Sequence, residues 1–579
     1  MLANRNLPAD LKAMNTEELS ALCEEIRQEI VATCLKNGGH LGASLGTVEI
    51  AVALHRIFDS PKDKLVWDVG HQAYAHKLLT GRAARFGTLR THGGLSGFLA
   101  REESAHDVFG AGHSSTSLSA ALGFAYRSDD WTVAVIGDGG LTAGVAFEAM
   151  NNIQSPNHFG PLLVILNDNQ MSISENVGGI HHLLSNGQGA DYFHLFGFDY
   201  VGPASGHDLP TLLATLNGIR EARPARPILL HLMTQKGKGY SPAEARPALY
   251  HGVGPAQPSD VSGKTAPSGE RATSTEKAWS DLFCSALIRA AEKDPKIVAI
   301  TAAMSDGTGL LPFASRFPDR FFDVGIAEPH AATFAAGLAA NGWKPVCAIY
   351  STFLQRSFDA IIHDIALQNL PVVFAVDRAG LVGADGPTHH GVFDLAYTGL
   401  IPGTRIYTPE VAGDLEGALG AALTGNGAAF IRYPRGKAAE ASVPYSAVRR
   451  GGASVDSAAK KVLISYGPIG VRVKKILSGL DPSVTAKVAH FSVIEAKPTP
   501  NEVVDFLEKN AGTIVEAIFF EDGVRHGSLS VDVASRVPSL KIRTFTYPDR
   551  FLPHGNVPEI EREFGRTDEA IAQAIRAGL

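Results

Sequence analysis

Cysteine is scarce in this chain: four residues in 579, Cys23, Cys34, Cys284 and Cys347, with no CxxC spacing. Such sparse thiols rule against a disulfide framework and point to a reducing compartment with packed, unpaired sulfurs. Long apolar runs are also missing. No segment approaches about 18 continuous apolar residues, which excludes a helical membrane span, and Met1–Pro8 has no apolar signal core. Excess positive charge is absent as well: the net charge is −7 and the pI near 6.3. Without a basic field to offset phosphate repulsion, a nucleic-acid binder is disfavoured, although isolated basic residues still bind small anions. These absences together place the chain in the cytoplasm. What is present is apolar mass: 45% hydrophobic residues and a mean hydropathy near zero. That describes a water-soluble globular chain with several cores, and its length predicts about three to five domains.

Along the chain, strand-length apolar runs alternate with helix-like segments. Asn15 with Glu18 three positions on caps a first helix, Leu19, Leu22, Cys23, Ile26, Ile30, Val31 and Cys34 form its core face, and Gly38 stops it. Strands are expected at 132–137, 161–167 and 227–233, and the alternation implies a parallel sheet covered by helices. A Pro/Ser/Gly-rich stretch at 255–276 reads as a linker. A second series follows, with strands at 297–301, 346–350, 372–376 and 428–433. A second boundary at 437–459 precedes a third, smaller unit with strands opening at Val462, Ile514 and Ile542. The expectation is three consecutive α/β domains with mostly parallel sheets: 1–254, 277–436 and 460–579.

The most informative segment is Val133-Ala134-Val135-Ile136-Gly137-Asp138-Gly139, answered by Val164-Ile165-Leu166-Asn167-Asp168-Asn169. In a parallel βαβ unit both strand ends emerge on the edge where open α/β sheets bind ligands. Asp138 and Asn167 can then share one hard cation. A carboxylate and an amide are too few for a protein-only cage, so they suit Mg²⁺ that keeps water or ligand phosphate oxygens in its shell. Gly137, Gly139 and Gly140 let backbone N–H groups approach a phosphate. GDG followed by Asn about thirty residues later resembles the diphosphate-binding signature of thiamine diphosphate enzymes. Alone, GDG is more often an ordinary strand–turn–helix with Asp as N-cap. Glu328, in Ile326-Ala327-Glu328 before an alanine-rich helix, supplies the second clue. Thiamine diphosphate needs a carboxyl group at N1′ of its aminopyrimidine, and burial would help Glu328 keep or share a proton.

Further motifs make the resemblance specific. They are Asp68–Tyr74 (DVGHQAY), Gly112–Ser117 (GHSSTS), Tyr350–Arg356 (YSTFLQR), Asp377–Gly380 (DRAG), Gly383–His389 (GADGPTH) and Arg432–Gly436 (RYPRG). In this order they closely resemble the 1-deoxy-D-xylulose-5-phosphate synthase family, from about residue 15 to 436. The resemblance implies a transketolase-like thiamine diphosphate-binding fold in a homodimer. It also implies condensation of pyruvate with D-glyceraldehyde 3-phosphate and release of CO₂, the product feeding isoprenoid precursors and, in many bacteria, thiamine. Carried over by residue, Asp138 and Asn167 bind Mg²⁺, with the Asn169 backbone carbonyl a third ligand. Gly139, Gly140 and Asn167 contact the diphosphate. His71, Gly112, His113 and Ser114 line the cofactor pocket, Ile173 sits beneath the cofactor, Phe353 stacks on its pyrimidine, and Tyr240 is a further cofactor-side candidate. His40, His251 and His389 are candidates for proton transfer and hydrogen bonding, a task that suits neutral imidazole. Arg378 and Arg435 match the pair that holds the acceptor's phosphate, with Tyr350, Arg356 and Asp385 nearby.

Four departures stand out. The connection between Asn176-Val177-Gly178 and Phe196-Gly197-Phe198 is much shorter than in typical members. Pro329 follows Glu328 where the family usually has Gln, His390 replaces the usual Gln after His389, and Glu521–Gly527 only loosely matches the family's acidic, glycine-rich stretch. Two alternatives accompany the leading reading. One is a related acyloin synthase or transketolase-type enzyme with another aldehyde acceptor. The other is a non-catalytic cofactor-binding paralogue.

Overall fold

The computed structural model describes residues 2–153, 159–172, 175–255, 277–439, 443–451 and 459–579. The chain separates into two compact units, Met1–Thr273 with Gly325–Ala327, and Ser274–Val324 with Glu328–Leu579. The linker expected at 255–276 lies, beyond its first residue, outside the described residues.

The first unit opens with the expected helix, Thr16–Asn37. Asn15 accepts from the Glu18 backbone while the Glu18 carboxylate accepts from Asn15 N–H, and Gly38 ends the helix at φ +79°. One parallel sheet follows, from β1 (Lys64–Trp67), β2 (Thr132–Gly137), β3 (Leu162–Asp168), β4 (Asp199–Ser205) and β5 (Ile228–Met233). Its order is β1-β2-β3-β5-β4. Strands β2, β3 and β5 are buried almost throughout, as their near-continuous Val/Ile/Leu content requires of strands covered on both faces. The short 179–195 connection forms two small helices, Gly179–Ser185 and Gly189–Leu195. Phe193 is fully buried there, edge-on to Phe198 and stacked on Tyr200, which ties the connection to β4.

The second unit contains β6 (Ile297–Thr301), β7 (Phe321–Asp323), β8 (Lys344–Tyr350), β9 (Val373–Asp377), β10 (Arg405–Tyr407) and β11 (Ala429–Arg432). It continues with β12 (Val448–Gly451), β13 (Lys461–Tyr466), β14 (Val488–Val493), β15 (Glu495–Lys497), β16 (Glu516–Val524) and β17 (Ile542–Tyr547). These make two sheets, β15-β10-β11-β9-β8-β6-β7 and β12-β14-β13-β16-β17, each parallel except for one antiparallel edge strand, β15 and β12 respectively. Two features differ from the sequence-based outline. The stretch expected as linker at 437–459 contributes β12, and β15 crosses from the C-terminal segment into the preceding sheet. One apolar core explains why both sheets group together: Ile300, Phe374 and Phe430 belong to the same buried cluster as Val462, Phe491 and Phe519.

Candidate active site

In the first unit the functional side chains hang from the carboxyl ends of the parallel strands, the edge where α/β sheets bind ligands. Asp68 follows β1 and accepts from the backbone N–H groups of Ser115 (2.7 Å) and Ser117 (3.1 Å), which pins the Gly112-His113-Ser114 turn beside it. Gly139 and Gly140 follow β2 under tight restraint. A Cβ on Gly139 would lie 2.9 Å from Ser172 Cβ, and one on Gly140 3.1 Å from Asp68 Oδ1.

Asp138 is buried, and its Oδ1 has no hydrogen-bond partner. Its Oδ2 accepts from Asn176 Nδ2 at 2.7 Å. Burial first, and the neighbouring Asp168 carboxylate second, push Asp138 well above the ordinary carboxylate range. Asp168 is held ionised by His231, whose Nε2 donates to it at 2.9 Å while Nδ1 accepts from Tyr200 (2.7 Å). Burial and the Asp168 carboxylate thus favour a proton on Asp138, and a cation at its bare oxygen would favour the charged form instead. Asn167 differs from expectation in one respect. Its amide is engaged, Nδ2 donating to Gln72 (2.8 Å) and Oδ1 accepting from Thr234 (2.5 Å), so the oxygen retains one lone pair. Asn169 Oδ1 accepts from Met171 N–H at 3.0 Å. Among the described residues no group of three or more His, Cys, Asp or Glu side chains is arranged to hold a metal.

Three imidazoles converge nearby. Ring centroids lie 6.1 Å apart for His40–His71, 5.9 Å for His40–His251 and 5.4 Å for His71–His251. The Nδ1 atoms of His71 and His251 are buried without partners. Burial, reinforced by Lys236, holds His71 down at about 3 and His251 well below the usual histidine range. Both rings are therefore neutral hydrogen-bonding groups at physiological pH and poor proton acceptors, which narrows the proton-transfer role expected for His251. Phe98 packs against His40, centroids 5.1 Å apart. Tyr240 lies edge-on to Tyr250, the residue before His251. Ile173 lies outside the described residues.

Lys236, Asn176 and Asp168 were not singled out from the sequence. Lys236 reads there as part of a basic glycine turn. In the structure it is buried, donates to Ser172 O at 2.6 Å, and is pulled down by burial to about 8.

In the second unit the same logic gathers residues at the carboxyl ends of β7, β8, β9 and β11. Glu328 begins the helix Glu328–Ala340; it is buried, and Oε2 has no hydrogen-bond partner. Burial raises its pKa, and the Arg356 guanidinium, 3.8 Å away, only partly opposes this. Pro329 costs nothing here, because its missing N–H falls in the first turn, where no intrahelical acceptor exists. Tyr350 stacks on Phe353 (5.5 Å), and Phe353 meets the His389 ring edge-on (5.4 Å). The Arg378 guanidinium lies 4.2 Å from the Tyr350 ring centre and donates to Asp377 and to Gly307 O, both at 2.7 Å. Arg435 is half exposed and 3.5 Å from Asp385. The structure thus brings Glu328, Tyr350, Phe353, Arg356, Arg378, Asp385, His389 and Arg435 to one sheet edge. Glu521 and Asp522 take structural places: Glu521 accepts from the Leu529 and Ser530 N–H groups, and Asp522 pairs with Arg566.

A buried, glycine-cradled carboxyl group with a bare oxygen, and a buried glutamate whose pKa is raised, each at the carboxyl edge of a parallel sheet, are features of a transketolase-like thiamine diphosphate enzyme. Comparison with known proteins narrows this. The profile described as 1-deoxy-D-xylulose-5-phosphate synthase matches residues 2–191 and 187–234, in two pieces that meet at the short connection. That of the transketolase pyrimidine-binding domain matches 275–440. The 1-deoxy-D-xylulose-5-phosphate synthase 2 of Geobacter sulfurreducens is 44% identical over 627 positions, covering 98% of both chains. The synthase of Myxococcus xanthus is 44% identical over 598, covering 100% of this chain and 98% of that one. A transketolase from Campylobacter jejuni is 18% identical with a TM-score of 0.44, covering 97% and 100%. The chain belongs to the 1-deoxy-D-xylulose-5-phosphate synthase family.

Proposed function

We infer that this protein condenses pyruvate with D-glyceraldehyde 3-phosphate, giving 1-deoxy-D-xylulose 5-phosphate and CO₂. Three carbons join three and one leaves, so the product has five. Loss of CO₂ from pyruvate strands an electron pair that no ordinary side chain can accommodate, and thiamine diphosphate, when bound, supplies that electron sink.

The observation that carries the reading is the pair of buried carboxyl oxygens without hydrogen-bond partners, Asp138 Oδ1 and Glu328 Oε2. Asp138, with Asn167 and the Asn169 carbonyl, would hold Mg²⁺ and through it the diphosphate, which Gly139 and Gly140 leave room for. Glu328, its pKa raised by burial, would hold a proton at N1′ of the aminopyrimidine. His71, Gly112, His113, Ser114, Tyr240 and Phe353 would line the cofactor. His40, His251 and His389 would hydrogen-bond to oxygens that gain charge during the reaction. Lys236 adds a cation beside His71 and His251.

Arg378 and Arg435 would grip the acceptor's phosphate, with Tyr350, Arg356 and Asp385 shaping the pocket. Four buried cysteines outside any disulfide suit the cytoplasm. Exposed Phe147 and Leu195 suit burial in a homodimer.

Replacing either arginine with Ala tests the acceptor. Loss of one charge-assisted contact predicts about ten- to a hundredfold lower kcat/KM for glyceraldehyde 3-phosphate, with little change in KM for pyruvate. Unphosphorylated glyceraldehyde should be insensitive. Equal losses for both aldehydes would make the arginines structural and favour a different acceptor.

A further inference from the structure

The turn that carries Asp385 and His389 is closed at its base, where Gly380 N–H donates to Gly391 O (2.7 Å) and Gly391 N–H to Gly380 O (2.8 Å). His390 is buried within it. Its Nδ1 accepts from Val382 N–H at 3.1 Å, and its Nε2 lies 3.0 Å from Pro553 O. A backbone N–H can only donate and a carbonyl can only accept, so the ring is the neutral tautomer with its proton on Nε2. One bond ends inside the turn and the other on the C-terminal segment. That segment lies directly over the turn: a Cβ on Gly386 would be 2.8 Å from His554 Cβ, and one on Gly383 3.2 Å from Gly555 O.

We propose that His390 is a positioning residue that locks the Asp385–His389 turn to the 553–555 segment, and that the lock holds only while its imidazole is neutral. The functional part of this rests on reading that turn as part of the acceptor site. A proton on Nδ1 would face the Val382 N–H, donor against donor. The Asp385 carboxylate, with Arg435 alongside it, and the Pro553 carbonyl favour that proton; burial and His554 oppose it, and burial dominates, holding His390 below the usual histidine value. The sign follows. The lock is intact through the neutral range and opens as pH falls through the folded-state value. Gln carries an acceptor and a donor on one side chain and can make both bonds without titrating.

The test uses the full-length enzyme loaded with thiamine diphosphate and Mg²⁺, comparing wild type with His390→Gln and His390→Ala. Deuterium uptake by backbone amides 380–392 is followed without substrates, and KM for each substrate across pH. His390→Ala should speed exchange in that segment and raise KM for glyceraldehyde 3-phosphate by about tenfold, since a buried N–H and C=O lose their partners, with KM for pyruvate unchanged. His390→Gln should restore both and abolish the acid-side loss of acceptor efficiency expected of wild type. Unchanged exchange in the Ala variant, or the same acid-side loss in the Gln variant, overturns the proposal. Faster exchange with an unchanged acceptor KM upholds the lock and overturns the assignment of the turn to the acceptor. If the Ala variant exchanges faster throughout the chain, the Gln variant's pH profile decides.

Discussion

A buried carboxyl oxygen without a hydrogen-bond partner is costly, and two stand among the described residues, on Asp138 and Glu328. Their environments differ in a way that sorts their tasks. Asp138 sits beside a second carboxylate that His231 holds ionised, where a cation can replace the proton that burial favours; Glu328 faces the Arg356 guanidinium at 3.8 Å, and a second cation there is disfavoured. Asp138→Ala should therefore abolish or greatly weaken binding of thiamine diphosphate with Mg²⁺ in calorimetric titration, and unchanged affinity would remove Asp138 from the site. Glu328→Ala should leave the fold and cofactor binding in place but suppress exchange of the cofactor's C2 proton with deuterated solvent. Wild-type exchange would show that another acid serves N1′. Both residues are legible in sequence because glycines or an alanine-rich helix surround them and narrow their setting. Lys236 was not, because burial of a lysine at the start of a glycine turn depends on what packs over it. Here Gly237 N–H donates to Gly42 O, almost two hundred positions earlier.

At the scale of elements, legibility follows periodicity and caps. The first helix, with its Asn15–Glu18 box and Gly38 stop, and the apolar central strands were readable because each depends on neighbours in sequence. Strands β12 and β15 were not. They are short, charged edge strands, Val-Arg-Arg-Gly and Glu-Ala-Lys, whose existence depends on distant partners: Arg449 pairs with Asp414 and Glu410, and Lys497 donates to the Gly399 and Ile401 carbonyls. The turn after β2 makes its own prediction. A methyl group on Gly139 would press on Ser172 Cβ at 2.9 Å and crowd the Asn176 amide at 3.0 Å. Gly139→Ala should weaken diphosphate binding by about tenfold or more and also lower the melting temperature modestly, since moving Ser172 or Asn176 costs on the order of 1–3 kcal/mol. Titration with thiamine diphosphate and Mg²⁺ checks this; unaltered affinity would show that the turn does not approach the phosphate.

Over the whole molecule, the two compact units each present their chemistry at the carboxyl ends of parallel strands, which is why motif order alone outlined so much of both candidate clusters. The partition was less legible. Three α/β series were expected as three domains, but a shared core and β15 group the last two in one unit, and an apolar strand does not reveal which neighbouring layer it buries against. No helix among the described residues is long and apolar enough to cross a membrane.

The central claim is the reaction itself, and carbon-labelled pyruvate tests it directly. With thiamine diphosphate, Mg²⁺ and D-glyceraldehyde 3-phosphate present, each CO₂ released should be matched by one labelled 1-deoxy-D-xylulose 5-phosphate, and omission of either cofactor should stop both. Release of CO₂ without that product, or equal turnover with an unphosphorylated aldehyde, would contradict the account.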